Sequence, residues 1–558
     1  MTDPGREGTD AASVTDIPDA AAPSTIGRAS AFLASGTLVS RALGFVSLIV
    51  LATAIGVNSA AGDTFALANQ LPNNIYSLVA GGLLSAVIVP QIVKASLNND
   101  GGAGFINKVI TLGLTIFVVV TIIATACAPL LIQLYGSGFD EHEVALATAL
   151  AYWTLPQILF YALYSLIGET LNARGVFGPF TWAPVLNNIV GISGLIVFIA
   201  LFGSQEQHQD AAAWTPAQVA LLAGSATLGI AVQAFALFFF LGRAGLRYRP
   251  DFIWRGVGLG NTARAASWVF VMFLVTQVSG VFEARIASTA TGDASVNAMK
   301  IAWTMFMLPH SIVTVSIVTA YFTRMSSHVR DGRLGELRDD ISSALRSILL
   351  IMVFSAVGLG VLSFSFSSVF GNDYAETSSI AQVYLAYLTG LIPFTIFFVL
   401  LRVFYALDRT RAAFVIQVIQ TAFYVAGAIT VGAFVPKEFV AVGLAFVLAA
   451  AVSLQALLSA IYLRRALGPL DTWRVLRQVL WFLAAALVAG AVGVGVLGAL
   501  GGIGAGAFPV ANKLTGILSM VIAGAAMAVV YAAVLWITRN PELRSFGEPI
   551  LRRLRRAR

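Results

Sequence analysis

Arg41, Asp63, Glu169, Glu283, Arg285, Lys300 and Arg402 stand inside long apolar stretches of the sequence, where an ionisable side chain needs a reason to be. Arg41 lies near the middle of the first stretch. A guanidinium facing lipid there would cost at least about 2.5 kcal/mol, so Arg41 is expected to face an internal cavity. Its planar fork of donors suits bidentate hydrogen bonding, which an ammonium cannot match. An internal ion pair with Asp63 or Glu283 is the structural alternative. Glu283 and Arg285 are two apart, so on a helix they point to different sides and need partners elsewhere. Consecutive stretches run in opposite directions, which places Glu283 and Lys300 at similar depth. They are expected to pair, either structurally or in competition with a substrate group or a coupling ion. Glu169 and Arg402 occupy nearly equivalent places in two halves of the chain and suggest an ion-pair gate, Arg402 reaching the head groups being the alternative. Asn73, Asn74, Asn172, Asn187 and Asn188 put amides where they can bond a polar ligand or tie helices together.

Covalent chemistry finds no support. No nucleophile, acid and base form a recognisable motif, so no enzyme is expected. There is neither a phosphate-cradling glycine loop nor a metal-ligand cluster, which leaves gradient-driven or facilitated movement and no resident cofactor. The single cysteine, Cys127, excludes a disulfide framework.

The elements that must position these residues are membrane helices. The chain is 58% hydrophobic and 11% charged, against roughly a quarter charged in soluble domains. About fourteen apolar spans are expected, at 29–57, 61–95, 107–134, 145–172, 179–203, 214–242, 262–290, 295–325, 338–366, 376–407, 412–434, 438–463, 475–500 and 511–538. The net charge of +7 sits in flanking loops rather than on a nucleic-acid-binding face. The even-numbered connections carry Lys94 and Lys108, Arg174, Arg243 to Arg255, Arg324 to Arg338, Arg409 and Arg411, and Arg464 to Arg477. The odd ones are nearly free of positive charge, with Lys437 and Lys513 as exceptions, so both termini are expected in the cytoplasm.

Leu71-Pro72-Asn73-Asn74-Ile75 in the second span is answered by Leu308-Pro309-His310-Ser311-Ile312 in the eighth, and the ends of the fourth and tenth spans match at nearly the same offset of roughly 235 residues. Two like-oriented six-helix halves around a central cavity follow, with two further helices after them. The expected organisation is a disordered tail at 1–27, a first lobe at 28–242, a second at 243–464, the extra helix pair at 465–540, and a basic tail at 541–558 lying on the inner leaflet. Pro72, Pro90, Pro156, Pro184, Pro309 and Pro393 are candidate bend points.

The runs Ser35-Gly36-Thr37-Leu38-Val39-Ser40-Arg41-Ala42-Leu43-Gly44-Phe45, Asp63 to Asn73, Gly81 to Gln91, Leu171-Asn172-Ala173-Arg174-Gly175, Ala183 to Asn188 and Leu308-Pro309 to Ser326 resemble the MurJ/MviN family of lipid II flippases, in wording most similar to actinobacterial members. The resemblance implies the fold of the multidrug/oligosaccharidyl-lipid/polysaccharide exporters: two lobes in a V, and two helices forming a groove for a lipid tail. It implies lipid II, the undecaprenyl-pyrophosphate-linked peptidoglycan precursor, as substrate, moved to the outer leaflet of the bacterial plasma membrane, with membrane lipids and cell-wall synthesis and division proteins as partners. Ser47, Tyr76 and Thr304 stand where well-studied members have arginine. Lys300, one turn before Thr304, is the candidate replacement cation for a phosphate site that includes Arg41. Export of another lipid-linked glycan or a small molecule, and a non-transporting scaffold, are the competing readings.

Overall fold

The computed structural model describes residues 23–83, 102–174, 176–253, 259–290 and 296–543, and all its regular elements are helical. Those of eight residues or more are α1 (Pro23–Ile55), α2 (Ala60–Leu83), α3 (Ala103–Ala126), α4 (Ala128–Tyr135), α5 (Glu141–Thr154), α6 (Gln157–Ala173), α7 (Gly178–Phe202), α8 (Pro216–Ala236), α9 (Leu259–Ala287), α10 (Val296–Pro309), α11 (Val315–Arg330), α12 (Leu334–Val361), α13 (Tyr374–Leu388), α14 (Leu391–Ala406), α15 (Thr410–Phe434), α16 (Val440–Leu467), α17 (Thr472–Ala499) and α18 (Lys513–Ile537).

Among the described residues twelve helical segments are long and apolar enough to cross a membrane, or thirteen when the bent pair α13–α14 is one span. The described part of the second expected span, α2, is 24 residues long but carries Asp63, Asn69, Gln70, Asn73 and Asn74 and is not among them, which leaves thirteen against the fourteen expected. Pro90, Lys94, Arg255 and the basic run after residue 543 lie outside the described residues. The first helix starts at Pro23, so residues 23–27 are helical and not part of a disordered tail.

Local sequence sets the helix ends. Asp140 and Glu143 form a reciprocal capping box at the start of α5, as Thr215 and Gln218 do at α8 and Asn512 and Thr515 at α18. Pro156 falls at the break between α5 and α6. Pro309 is followed by a π-helical turn, His310–Thr314, and the chain bends by 47° between α13 and α14, just ahead of Pro393. In the exposed connection before α12, the Asp331 carboxyl is held below its ordinary value by Arg333 and then Arg330.

Burial follows a lipid-facing pattern. Phe239, Phe434 and Ile537 are largely exposed around the outside, while two separate apolar cores fill the inside. One joins α1 to α8 around Phe117, Leu150 and Phe198; the other joins α10 to α18 around Phe370, Tyr384, Phe404 and Phe482 and takes in Ala52 of α1, Ala66 of α2 and Ala287 of α9. Within the first, a Cβ on Gly229 of α8 would collide with Asn187 of α7, and the small residue there brings these backbones together.

Candidate substrate-binding site between the lobes

The lobes are fastened at one end of the bundle, where α1 finishes. Asp63 of α2 is fully buried, and its Oδ1 accepts the Asn297 backbone N–H at 3.0 Å, in the first turn of α10. A carboxylate facing helix-terminal N–H groups satisfies donors that the helix itself cannot. Asn297 Nδ2 returns across the seam to the carbonyls of Gly56 and Val57, each at 3.2 Å. Asp373 caps α13 by accepting the Glu376 N–H. In a capping box Glu376 would reach back to the cap residue's own N–H. Instead its Oε1 crosses the seam to accept the Val57 N–H at 2.7 Å, and its Oε2 accepts the Asn372 N–H at 2.8 Å. Asn372 also donates to the Ala52 carbonyl, Ser379 donates to Asn58 at 3.2 Å, and the Gly138 N–H donates to Ser288 at 3.0 Å. Lys513, at the start of α18, donates to Thr53 at 3.0 Å and to Asn372 at 3.4 Å, so the last helix is tied to both lobes here.

Just inside this fastening lies a cavity of about 380 Å³ between the lobes. Gln70, Asn73 and Asn74 come from α2, Glu283 from α9, Lys300 and Trp303 from α10, and Tyr387 from α13. At 1.5 Å per residue, Glu283 and Lys300 each lie about 6 Å from the end of their helix at the seam. Glu283 lies near the hydroxyls of Tyr387 and Tyr424. Lys300 also closes a second cavity of about 230 Å³ inside the first lobe, lined by Ser47, Asn69, Asn187 and Asn188. No ion pair within 4.0 Å among the described residues involves Glu283 or Lys300. The two share a cavity without the contact expected of them.

Arg41 is deeper, about 21 Å along α1 from Ile55. It donates through Nη1 to Ser311 Oγ in the π-helical turn of the other lobe, and Ser311 donates in turn to the Leu308 carbonyl at 3.0 Å. It has no carboxylate partner among the described residues, so neither Asp63 nor Glu283 pairs with it. Leu308 and Pro309 also line an apolar groove of about 290 Å³ with Phe354 and Gly358 of α12 and Gly524 and Met527 of α18. Arg41 therefore bridges to the other lobe at Ser311, two residues past Pro309, which lines a lateral apolar groove built partly by the last helix.

The remaining candidates are dispersed. Asp63 serves the seam rather than the cavity. Arg285 is exposed and points away from Glu283, as their spacing requires. Asn172 sits in the last turn of α6, away from both cavities. Glu169 lies near Tyr76 and Tyr164, whereas Arg402 stacks over Phe398 at 5.0 Å and Phe322 at 5.7 Å. They form no ion pair in this state, in which the opposite end is fastened. Of the three positions lacking arginine, Tyr76 bonds Ser165, Thr304 donates to the Lys300 carbonyl, and Ser47 lines the first-lobe cavity.

Two helical lobes with separate cores, joined at one end over a polar cavity, define a two-lobed multipass transporter. The same fold is found in the solved structure "Lipid II flippase MurJ, inward closed conformation" (TM-score 0.71, 18% identity, 91% of this chain and 99% of that one) and in an inward-facing multidrug resistance MATE family transporter of the MOP superfamily (0.61, 14%, 78% and 95%). The sequence is 28% identical over 489 residues to the probable lipid II flippase MurJ of Haemophilus influenzae, covering 82% of this chain and 90% of that protein, and 26% identical over 483 residues to that of Vibrio cholerae, covering 83% and 86%. The family model described as Lipid II flippase MurJ matches residues 51–501, and the chain belongs to this family of multipass membrane transporters.

Proposed function

We propose that this chain carries lipid II across the bacterial plasma membrane by alternating access, with both termini in the cytoplasm and the fastened seam on the outer side. The observation that carries the reading is the pair of cations, Arg41 from one lobe and Lys300 from the other, that border the inter-lobe space without an acidic partner among the described residues. By helix rise the two lie about 15 Å apart in depth, so a pyrophosphate meets them in turn rather than together, and the Arg41 fork can exchange its Ser311 bond for bidentate contact. The asparagines of α2 offer amides to sugar and peptide groups. The undecaprenyl tail would stay outside, along the apolar groove at Leu308, Pro309 and Met527.

A cavity of about 380 Å³ is at the small end even for drug-sized ligands. It holds the phosphates and part of a sugar, so the lobes must part further to take a disaccharide-peptide head. Glu169 and Arg402, apart here, are then candidates to meet when the cytoplasmic side closes and the outer seam opens. Glu283 supplies a carboxylate to the same cavity, where a coupling cation and Lys300 compete for it. The test is complementation: in a bacterium depleted of its native flippase, the chain restores outer-leaflet lipid II, Arg41→Ala does not at equal expression, and Arg41→Lys restores part. A well-folded wild type that restores nothing in a matched host would move the scaffold or other-glycan reading ahead.

A further inference from the structure

Away from the lobe seam, α12, α14, α16 and α17 enclose an apolar crevice of about 340 Å³ that shares no lining residue with the groove at Pro309. Leu345, Ile396, Leu400, Ala456 and Val479 form its body. At its lip Leu457 and Leu476 are 57% and 46% exposed, so it opens sideways, toward the bilayer. Water entering such a slot would find few hydrogen-bond partners, whereas a hydrocarbon chain needs none.

One end of the crevice is polar, at the turn between α16 and α17. Arg338, Ser342, Asp471 and Thr472 line it. The turn depends on Gly468, at φ +86°, and the Arg338 guanidinium lies 3.4 Å from where a Cβ on that glycine would be. Asp471 is already compensated: it accepts from Ser342 at 3.2 Å and pairs with Arg474 at 3.8 Å and Arg346 at 3.9 Å. Arg338 is not. Its one side-chain hydrogen bond among the described residues is to the Leu334 carbonyl at 3.4 Å, and no ion pair includes it. Trp473, beside Thr472, is 73% exposed, and an exposed indole at a helix start marks the head-group level of a bilayer. Exposed Arg464 and Arg465 add positive charge at the same end.

An unpaired guanidinium at head-group depth above a chain-shaped apolar slot is complementary to one class of molecule. We propose that this crevice binds an anionic phospholipid, one acyl chain between α12, α14, α16 and α17 and the phosphate at Arg338. The guanidinium fork meets phosphate oxygens bidentately, and the chain packs α17 onto the second lobe.

Native mass spectrometry of the full chain, purified in detergent and given phosphatidylglycerol or phosphatidylethanolamine with identical acyl chains, tests this without any transport readout. Wild type should retain one phosphatidylglycerol, about fivefold more strongly than phosphatidylethanolamine, the worth of one arginine beside anionic head groups. Arg338→Gln should lower phosphatidylglycerol to the phosphatidylethanolamine level, and Ala460→Phe, which fills the crevice from its half-buried rim, should abolish retention of both. Arg338 is partly exposed, so its variant keeps the fold. Equal retention of the two lipids by wild type, wild-type retention by either folded variant, or displacement of phosphatidylglycerol from this crevice by undecaprenyl phosphate would overturn the proposal.

Discussion

Replacing Glu376 by alanine separates the two roles of its carboxylate. The Oε2 bonds to Asn372 lie within one lobe, so they are lost from fastened and unfastened states alike and largely cancel. The Oε1 bond to the Val57 N–H, 2.7 Å long and with Val57 fully buried, exists only while the seam is closed. A hydrogen bond to a charged group contributes about 1.5–3 kcal/mol, and its loss leaves the buried N–H of Val57 without an acceptor. Glu376→Ala should therefore raise the unfastened fraction between about 10-fold and about 150-fold. The Asn297 amide reports that fraction: it bonds to Asp63 across the same seam without touching Glu376. Its hydrogen exchange, measured by mass spectrometry on the purified chain, should accelerate by the same ratio when seam opening is the route to exchange. Exchange at Asn297 unchanged within about twofold, in a variant of normal helicity, would refute the assignment of Glu376 to the seam.

Other perturbations follow from the same contacts. A Cβ on Gly138 would lie 2.5 Å from the Thr289 backbone nitrogen in the other lobe, so Gly138→Ala should speed exchange at 288–290, whereas Gly242→Ala, with open space around it, should leave that segment unchanged. Phe482 is fully buried and Phe239 is 85% exposed; Phe482→Ala should cost about 3–5 kcal/mol and lower the melting temperature in detergent, while Phe239→Ala should not.

Much of this architecture is legible in the sequence because lipid imposes a coarse rule. Each long apolar stretch must become a helix, and the two Leu-Pro motifs at Pro72 and Pro309 reveal the halves. The Leu308 to Ile312 motif also contained Ser311, the partner of Arg41, but nothing in its spacing indicates that a π-helical turn presents the hydroxyl to the other lobe. Counting along antiparallel helices puts Glu283 and Lys300 at similar depth, and they share a cavity. Contact between them depends on helix rotation and lobe separation, which depth does not determine. Asp63 stands out in the sequence as a charge within a span, yet its acceptor role is fixed by where α10 begins, on the far side of the seam. Glu376 is unmarked in the sequence because an acid at a helix start needs no special explanation, and Lys513 stands out only as an exception to the loop-charge pattern, with no sign of its contacts to Thr53 and Asn372.

In the proposed cycle substrate crosses because the fastened seam opens. Asn58 and Ser379 bond across that seam at 3.2 Å, so cysteines at both positions, with Cys127→Ala, should form a disulfide that locks it. In proteoliposomes carrying lipid II in one leaflet, the reduced double variant should move lipid II to the other, the oxidised one should stop, and reducing it again should restore transfer. Equal transfer by the fully oxidised and reduced forms would contradict alternating access through this seam.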